Sequence, residues 1–82
     1  MKSKKEKKAT PETTMEKIGK RLQAIRKEKG YKNYEHLAYE LEMGRSQYWK
    51  YEAGGNIEMK TLLRILAHLN VTVGEFFKDI DS

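Results

Sequence analysis

Arg45, Ser46, Gln47, Trp49 and Lys50 crowd the short stretch RSQYWKY. Side chains of these types carry the chemistry of base recognition. An arginine can bond guanine O6 and N7 together, and a glutamine can do the same with adenine N6 and N7. A tryptophan among them can pack on a thymine methyl or on the sugar-phosphate backbone. It can equally anchor a protein interface, where tryptophan is favoured, or turn inward as part of a core. Groups that would do catalysis are missing. His36 and His68 have no ligand spacing to each other, and the chain has no Cys. Gly54-Gly55 is not followed by Lys-Ser or Lys-Thr, so there is no phosphate loop. The residues argue against an enzyme, a metal site and a cofactor.

The chain has 82 residues, enough for one domain. A domain this small buries only roughly 60% of the surface its unfolded chain exposes, which leaves little room for an enclosed pocket. Lacking cysteine, it has neither disulfides nor thiolate ligands. No apolar stretch approaches the roughly 18 residues of a membrane span, and the charged N-terminus has no apolar signal-peptide centre. A cytoplasmic protein with no membrane partner is the expectation. The net charge is +5 and unevenly placed. Lys2, Lys4, Lys5, Lys7 and Lys8 face Glu6 alone, and Lys20, Arg21, Arg26, Lys27, Lys29 and Lys32 face Glu28. A polyanion is drawn to such a half-molecule, although lysines also serve solubility.

The elements that must position the RSQYWKY stretch are helices. Residues 1–13 have low complexity and form a basic tail expected to be disordered. Residues 14–82 form the domain. Thr13 or Thr14 caps a first helix on which Ile18, Leu22 and Ile25 recur at helical spacing, and Gly30 stops it near Glu28. Asn33 caps a second helix with Leu37, Ala38 and Leu41 inward. Glu42, Met43 and Gly44 connect it to a third helix over Arg45–Tyr51, with Tyr48 and Tyr51 inward. Arg45, Ser46, Trp49 and Lys50 then point outward, with Gln47 flanking. Gly54, Gly55 and Asn56 turn the chain into a fourth helix over Glu58–Leu69, which Asn70 ends in the left-handed conformation. Val71-Thr72-Val73 is too short for a sheet. A fifth helix over Glu75–Asp79 carries Phe76 and Phe77. The fold class is all-α, a compact bundle of about five short helices around one core.

Leu37-Ala38, Leu41, Tyr48, Tyr51, Glu52 and Gly54 fall in the register of a known pattern. So do Ile18, Leu22, Ile25, Arg26 and Gly30 before them, and Leu62, Leu66, Leu69, Val71, Val73 and Phe76-Phe77 after them. Over roughly residues 16–80 the chain resembles the helix-turn-helix domain of phage repressors and Cro-type regulators, the xenobiotic-response-element family, with a lambda-repressor-like fold. It departs from the family pattern in three places. The link from Gly30 to Leu37 is one residue longer, Tyr34 stands where a phosphate-touching glutamine is common, and Gly44 replaces a Ser or Thr cap.

The resemblance implies a sequence-specific, double-stranded DNA-binding regulator of transcription, a repressor of the Cro type, with helix three in the major groove. Arg45, Ser46 and Lys50 would carry the base readout, with Gln47 and Trp49 beside them. The alternative for Arg45 is a surface ion pair with Glu42 or Glu40. Glu52 would pair with Arg26 and lock helix three to helix one. Asn33, Tyr34, Asn56 and Lys60, and the open helix amides after Gly44, would touch phosphate, against plain capping or exposure. One domain spans about half a turn of DNA, so a homodimer is expected, with half-sites about 34 Å apart. Two rival readings remain. In one the chain is an antitoxin or adaptor module docking a protein partner. In the other it binds single strands or RNA, stacking bases on Tyr34 and Trp49.

Overall fold

Thr10 opens the first helix. Its hydroxyl accepts the Thr13 amide at 3.1 Å, and the Thr13 hydroxyl accepts the Thr10 amide at 2.9 Å. Pro11 follows at the first helical position, where its missing N–H costs nothing. The computed structural model describes residues 10–78 and 80, and α1 runs Pro11–Glu28. The cap is therefore Thr10 rather than Thr13 or Thr14, and the last residues expected in the tail are helical. The rest of the tail, residues 1–9, lies outside the described residues.

Four more helices follow: α2 Tyr34–Glu40, α3 Arg45–Glu52, α4 Met59–Leu69 and α5 Val73–Lys78. Among the described residues there is no strand. The first four helices end alike. A residue at positive φ follows each, at Gly30 (97°), Glu42 (58°), Gly54 (98°) and Asn70 (61°). The next amide then reaches back a full turn: Tyr31 to the Arg26 carbonyl, Met43 to Ala38, Gly55 to Lys50, and Val71 to Leu66. This closure satisfies carbonyls that each helix end would leave orphaned. Glycine and asparagine adopt the conformation cheaply, whereas at Glu42 a Cβ costs roughly 1–2 kcal/mol.

The core collects one face from every helix. Ile18, Leu22 and Ile25 of α1 meet Leu37, Ala38 and Leu41, then Tyr48 and Tyr51 of α3. Leu62, Ile65, Leu66 and Leu69 of α4 and Phe76 of α5 complete it. Helix five starts at Val73, earlier than expected, because Thr72 and Glu75 cap it reciprocally. The Glu75 amide donates to the Thr72 hydroxyl at 3.0 Å, and the Thr72 amide donates to the Glu75 carboxylate at 2.9 Å. Asp79, expected at its end, lies outside the described residues. Arg21 ties α5 to α1 through the Phe76 and Glu75 carbonyls, both at 3.3 Å.

Two polar contacts join α4 to the end of α2. Arg64 bonds the Leu41 carbonyl. Glu40 accepts the Tyr31 hydroxyl at 2.6 Å and lies 2.9 Å from His68 Nε2 and 3.2 Å from His36 Nε2. The Tyr31 bond, and then His68, hold the Glu40 carboxyl below the usual carboxylate range. The Thr72 amide and hydroxyl do the same for Glu75. A depressed folded value stabilises the fold above the unfolded value, and that contribution fades as pH falls through the folded one. Urea unfolding below about pH 5 should therefore show a flatter acid limb in Glu40→Gln and Glu75→Gln than in the parent chain. An unchanged limb in both would remove this assignment.

Helix one approaches helix three at Gly19, which is buried. A Cβ there would sit 2.5 Å from the Glu52 carbonyl oxygen and 2.7 Å from that of Tyr51. Backbone cannot yield as a side chain does, so Gly19→Ala should cost about 1–3 kcal/mol. Gly74→Ala is the control, since a Cβ there meets nothing within 4 Å. It should be neutral or stabilising by up to about 1 kcal/mol. Equal midpoints in urea for the two variants would contradict the close approach.

Candidate nucleic-acid interface

Helix three buries only a narrow stripe. Tyr48 is fully buried and Tyr51 nearly so, their rings edge to face at 6.4 Å. The helix begins at Gly44, which contributes no side-chain cap. Arg45, Ser46, Gln47, Trp49 and Lys50 are all exposed. Trp49 is 51% exposed, so the alternative that it belongs to the core does not hold.

The C-terminal end of this helix is pinned. Arg26 Nε donates to Glu52 Oε2 at 2.7 Å and its Nη2 to Oε1 at 3.3 Å, with both side chains almost wholly buried. Its Nη1 donates to the Tyr31 carbonyl at 2.7 Å. One guanidinium therefore fixes helix one, helix three and the link into helix two. The fork geometry suits arginine and not lysine. The Tyr48 hydroxyl is buried nearby without a hydrogen bond, and burial pushes its proton affinity well above the usual phenol range.

The other candidates divide. Arg45 reaches neither Glu42 nor Glu40; its partner is Glu35 of helix two, at 3.5 Å between exposed side chains. Gln47 donates to the Tyr51 hydroxyl at 3.0 Å. Gln47 and Asn56 share an open groove with Tyr51, Ile57, Glu58 and Thr61, between helix three and the start of helix four. Asn33 spends its side chain on the His36 amide, at 2.8 Å, as the cap of helix two. Tyr34 is half-buried and packs against the core. Lys60 is exposed in the first turn of helix four but does not line the groove. The side chains of Ser46, Trp49 and Lys50 have no hydrogen-bond or ion-pair partner among the described residues.

Glu35 and Thr61 were not legible as parts of this surface. An acidic residue in the first turn of a helix is ordinary, and nothing in their spacing points to helix three. Among the described residues no group of three or more His, Cys, Asp or Glu side chains is arranged to hold a metal ion. No described helix is long and apolar enough to cross a membrane.

The chain is similar in sequence to known proteins. A helix-turn-helix family model matches residues 22–76. The control protein C.MunI of Mycoplasma sp is 33% identical over 66 residues, which span 79% of this chain and 89% of that protein. No solved structure gives a significant match.

The matched span contains both Arg26 and Glu52. Losing one member of a buried pair strands the other charge, so Arg26→Met or Glu52→Leu alone should cost about 3–5 kcal/mol in urea unfolding. The double replacement should recover much of that loss. Single costs below about 1 kcal/mol would mark the pair as no stronger than a surface ion pair.

Proposed function

Because the chain belongs to the helix-turn-helix family, and is thereby a DNA-binding transcriptional regulator, we propose that it reads double-stranded DNA with helix three in the major groove. The observation that carries this reading is the outer face of that helix. Ser46, Trp49 and Lys50 hold unspent bonding capacity there, on a helix whose inner end is locked by Arg26. Arg45 and Gln47 complete the base-facing set, each in only one weak or local contact. Helix two lies across the backbone. The helix start after Gly44, with Asn33, Tyr34, Asn56 and Lys60, meets phosphate. Their placement at helix starts, and in the loop after helix three, supports that role.

The protein works in the cytoplasm as a homodimer on two half-sites about 34 Å apart. The relative's description as a control protein agrees with a regulatory role, here as a repressor. The lysines of residues 2–8 add phosphate contacts, each neutralised phosphate steepening the log–log salt dependence by about 0.9.

Selection of duplexes from a random pool at fixed salt tests the reading. An enriched inverted repeat is expected. Arg45→Ala should lose about 1–3 kcal/mol of discrimination at one base position, and Lys50→Ala should weaken or broaden the preference. Unchanged preference in both variants would sink the assignment of helix three. A tight protein complex that forms without DNA, alongside no duplex enrichment, would favour an antitoxin or adaptor role.

A further inference from the structure

We infer that Trp49 reads the C5-methyl group of a thymine, so that a methylated pyrimidine at one position of each half-site strengthens binding. The inference rests on the placement of helix three in the major groove. Trp49 is the chain's only tryptophan, and about half of it faces solvent. Its indole N–H has no hydrogen-bond partner among the described residues. Its neighbours on the same face are Arg45 and Ser46, one turn earlier, and the exposed Ala53, one turn later, with Lys50 adjacent in the chain. These offer aliphatic stems and one methyl group but no broad apolar surface that would cover the exposed half of the ring.

The major groove presents only one apolar group, the thymine methyl, and beside it the O4 acceptor. An indole presents the complementary pair, an apolar face and a single N–H donor. The other bases match less well. Cytosine offers a donor, which opposes the N–H, while guanine and adenine offer acceptors without an apolar group. The rise of an α-helix puts Trp49 about 6 Å beyond Arg45, roughly two base steps along the groove. The geometry thus assigns guanine to Arg45 and thymine to Trp49 within one half-site.

The test uses the duplex selected from the random pool, with each thymine replaced in turn by deoxyuridine. This removes the methyl and keeps O4 and the pairing. The wild-type chain should lose about fourfold in affinity at one thymine per half-site, the effect of burying one carbon. Trp49→Ala should bind the parent duplex more weakly and no longer distinguish thymine from uracil there, while Trp49→Phe keeps part of the difference. Circular dichroism should show both variants folded, since the replaced side chain lies outside the core. Equal binding of every uracil duplex by the wild type overturns the inference, even if Arg45→Ala still loses its base preference. Undiminished duplex binding by Trp49→Ala also overturns it and leaves the ring to a protein partner. If Arg45→Ala and Lys50→Ala change nothing either, the failure belongs to the placement of helix three.

Discussion

The Arg26 guanidinium is the constraint on which the rest of the arrangement depends. It donates twice to Glu52 and once to the Tyr31 carbonyl, so three segments meet on one planar group. A buried ion pair contributes little net stability, because desolvating two charges offsets most of their attraction. What it gives is direction. The paired oxygens accept the fork in one orientation, and Gly19 lets the helix-three carbonyls come close enough for the pair to form. Angle and distance between helices one and three are thus set by two separate devices.

This division explains how so short a helix is held. Helix three buries two tyrosine rings and little else, too little apolar area to fix its rotation alone. Pinning its C-terminal end leaves the outward side chains with few contacts of their own: Arg45 only with Glu35, Gln47 only with Tyr51. A helix backbone held in place in this way loses less freedom on meeting a ligand, although its exposed side chains must still be ordered. The same economy appears at helix two, where Asn33, Arg64 and the Glu40 contacts hold both ends while its outer face stays open.

How much of this the sequence disclosed follows from how local each signal is. Ile18, Leu22 and Ile25, and the stripe on helix four, declared themselves by period alone. Gly30 and Asn70 did so by residue type. Glu42 did not, since a glutamate at positive φ is imposed by the ladder of closing hydrogen bonds, not by its own preference. Thr10 does not stand out in the sequence, because three threonines lie near the helix start and any of them is a competent cap. The Thr72–Glu75 box was hidden by the β-branched run Val71-Thr72-Val73, which reads as extended until its reciprocal bonds are seen. The Arg26–Glu52 pair came from family resemblance, as no local pattern joins residues 26 apart. The direction of Trp49 was undecidable from spacing. Tyr48, Trp49 and Tyr51 are all large aromatics, and helix three has almost no amphipathic contrast to rank them.

Magnitudes decide one further question about the outer face. Arg45 is not idle in the free protein, since it lies against Glu35. Both side chains are largely exposed and 3.5 Å apart, which puts the pair in the class worth about 0–1 kcal/mol. A bidentate guanine contact is worth about 1–3 kcal/mol of discrimination. On the reading proposed for helix three, Glu35 would be outcompeted by a good guanine contact to Arg45 but would compete with contacts weaker than that. A carboxylate in the first turn of helix two also repels phosphate once its partner has left. On the same reading, both effects would act against loose, sequence-blind association more than against a specific complex. A negative charge that looks misplaced on a basic surface is thus consistent with a surface built to discriminate as well as to bind.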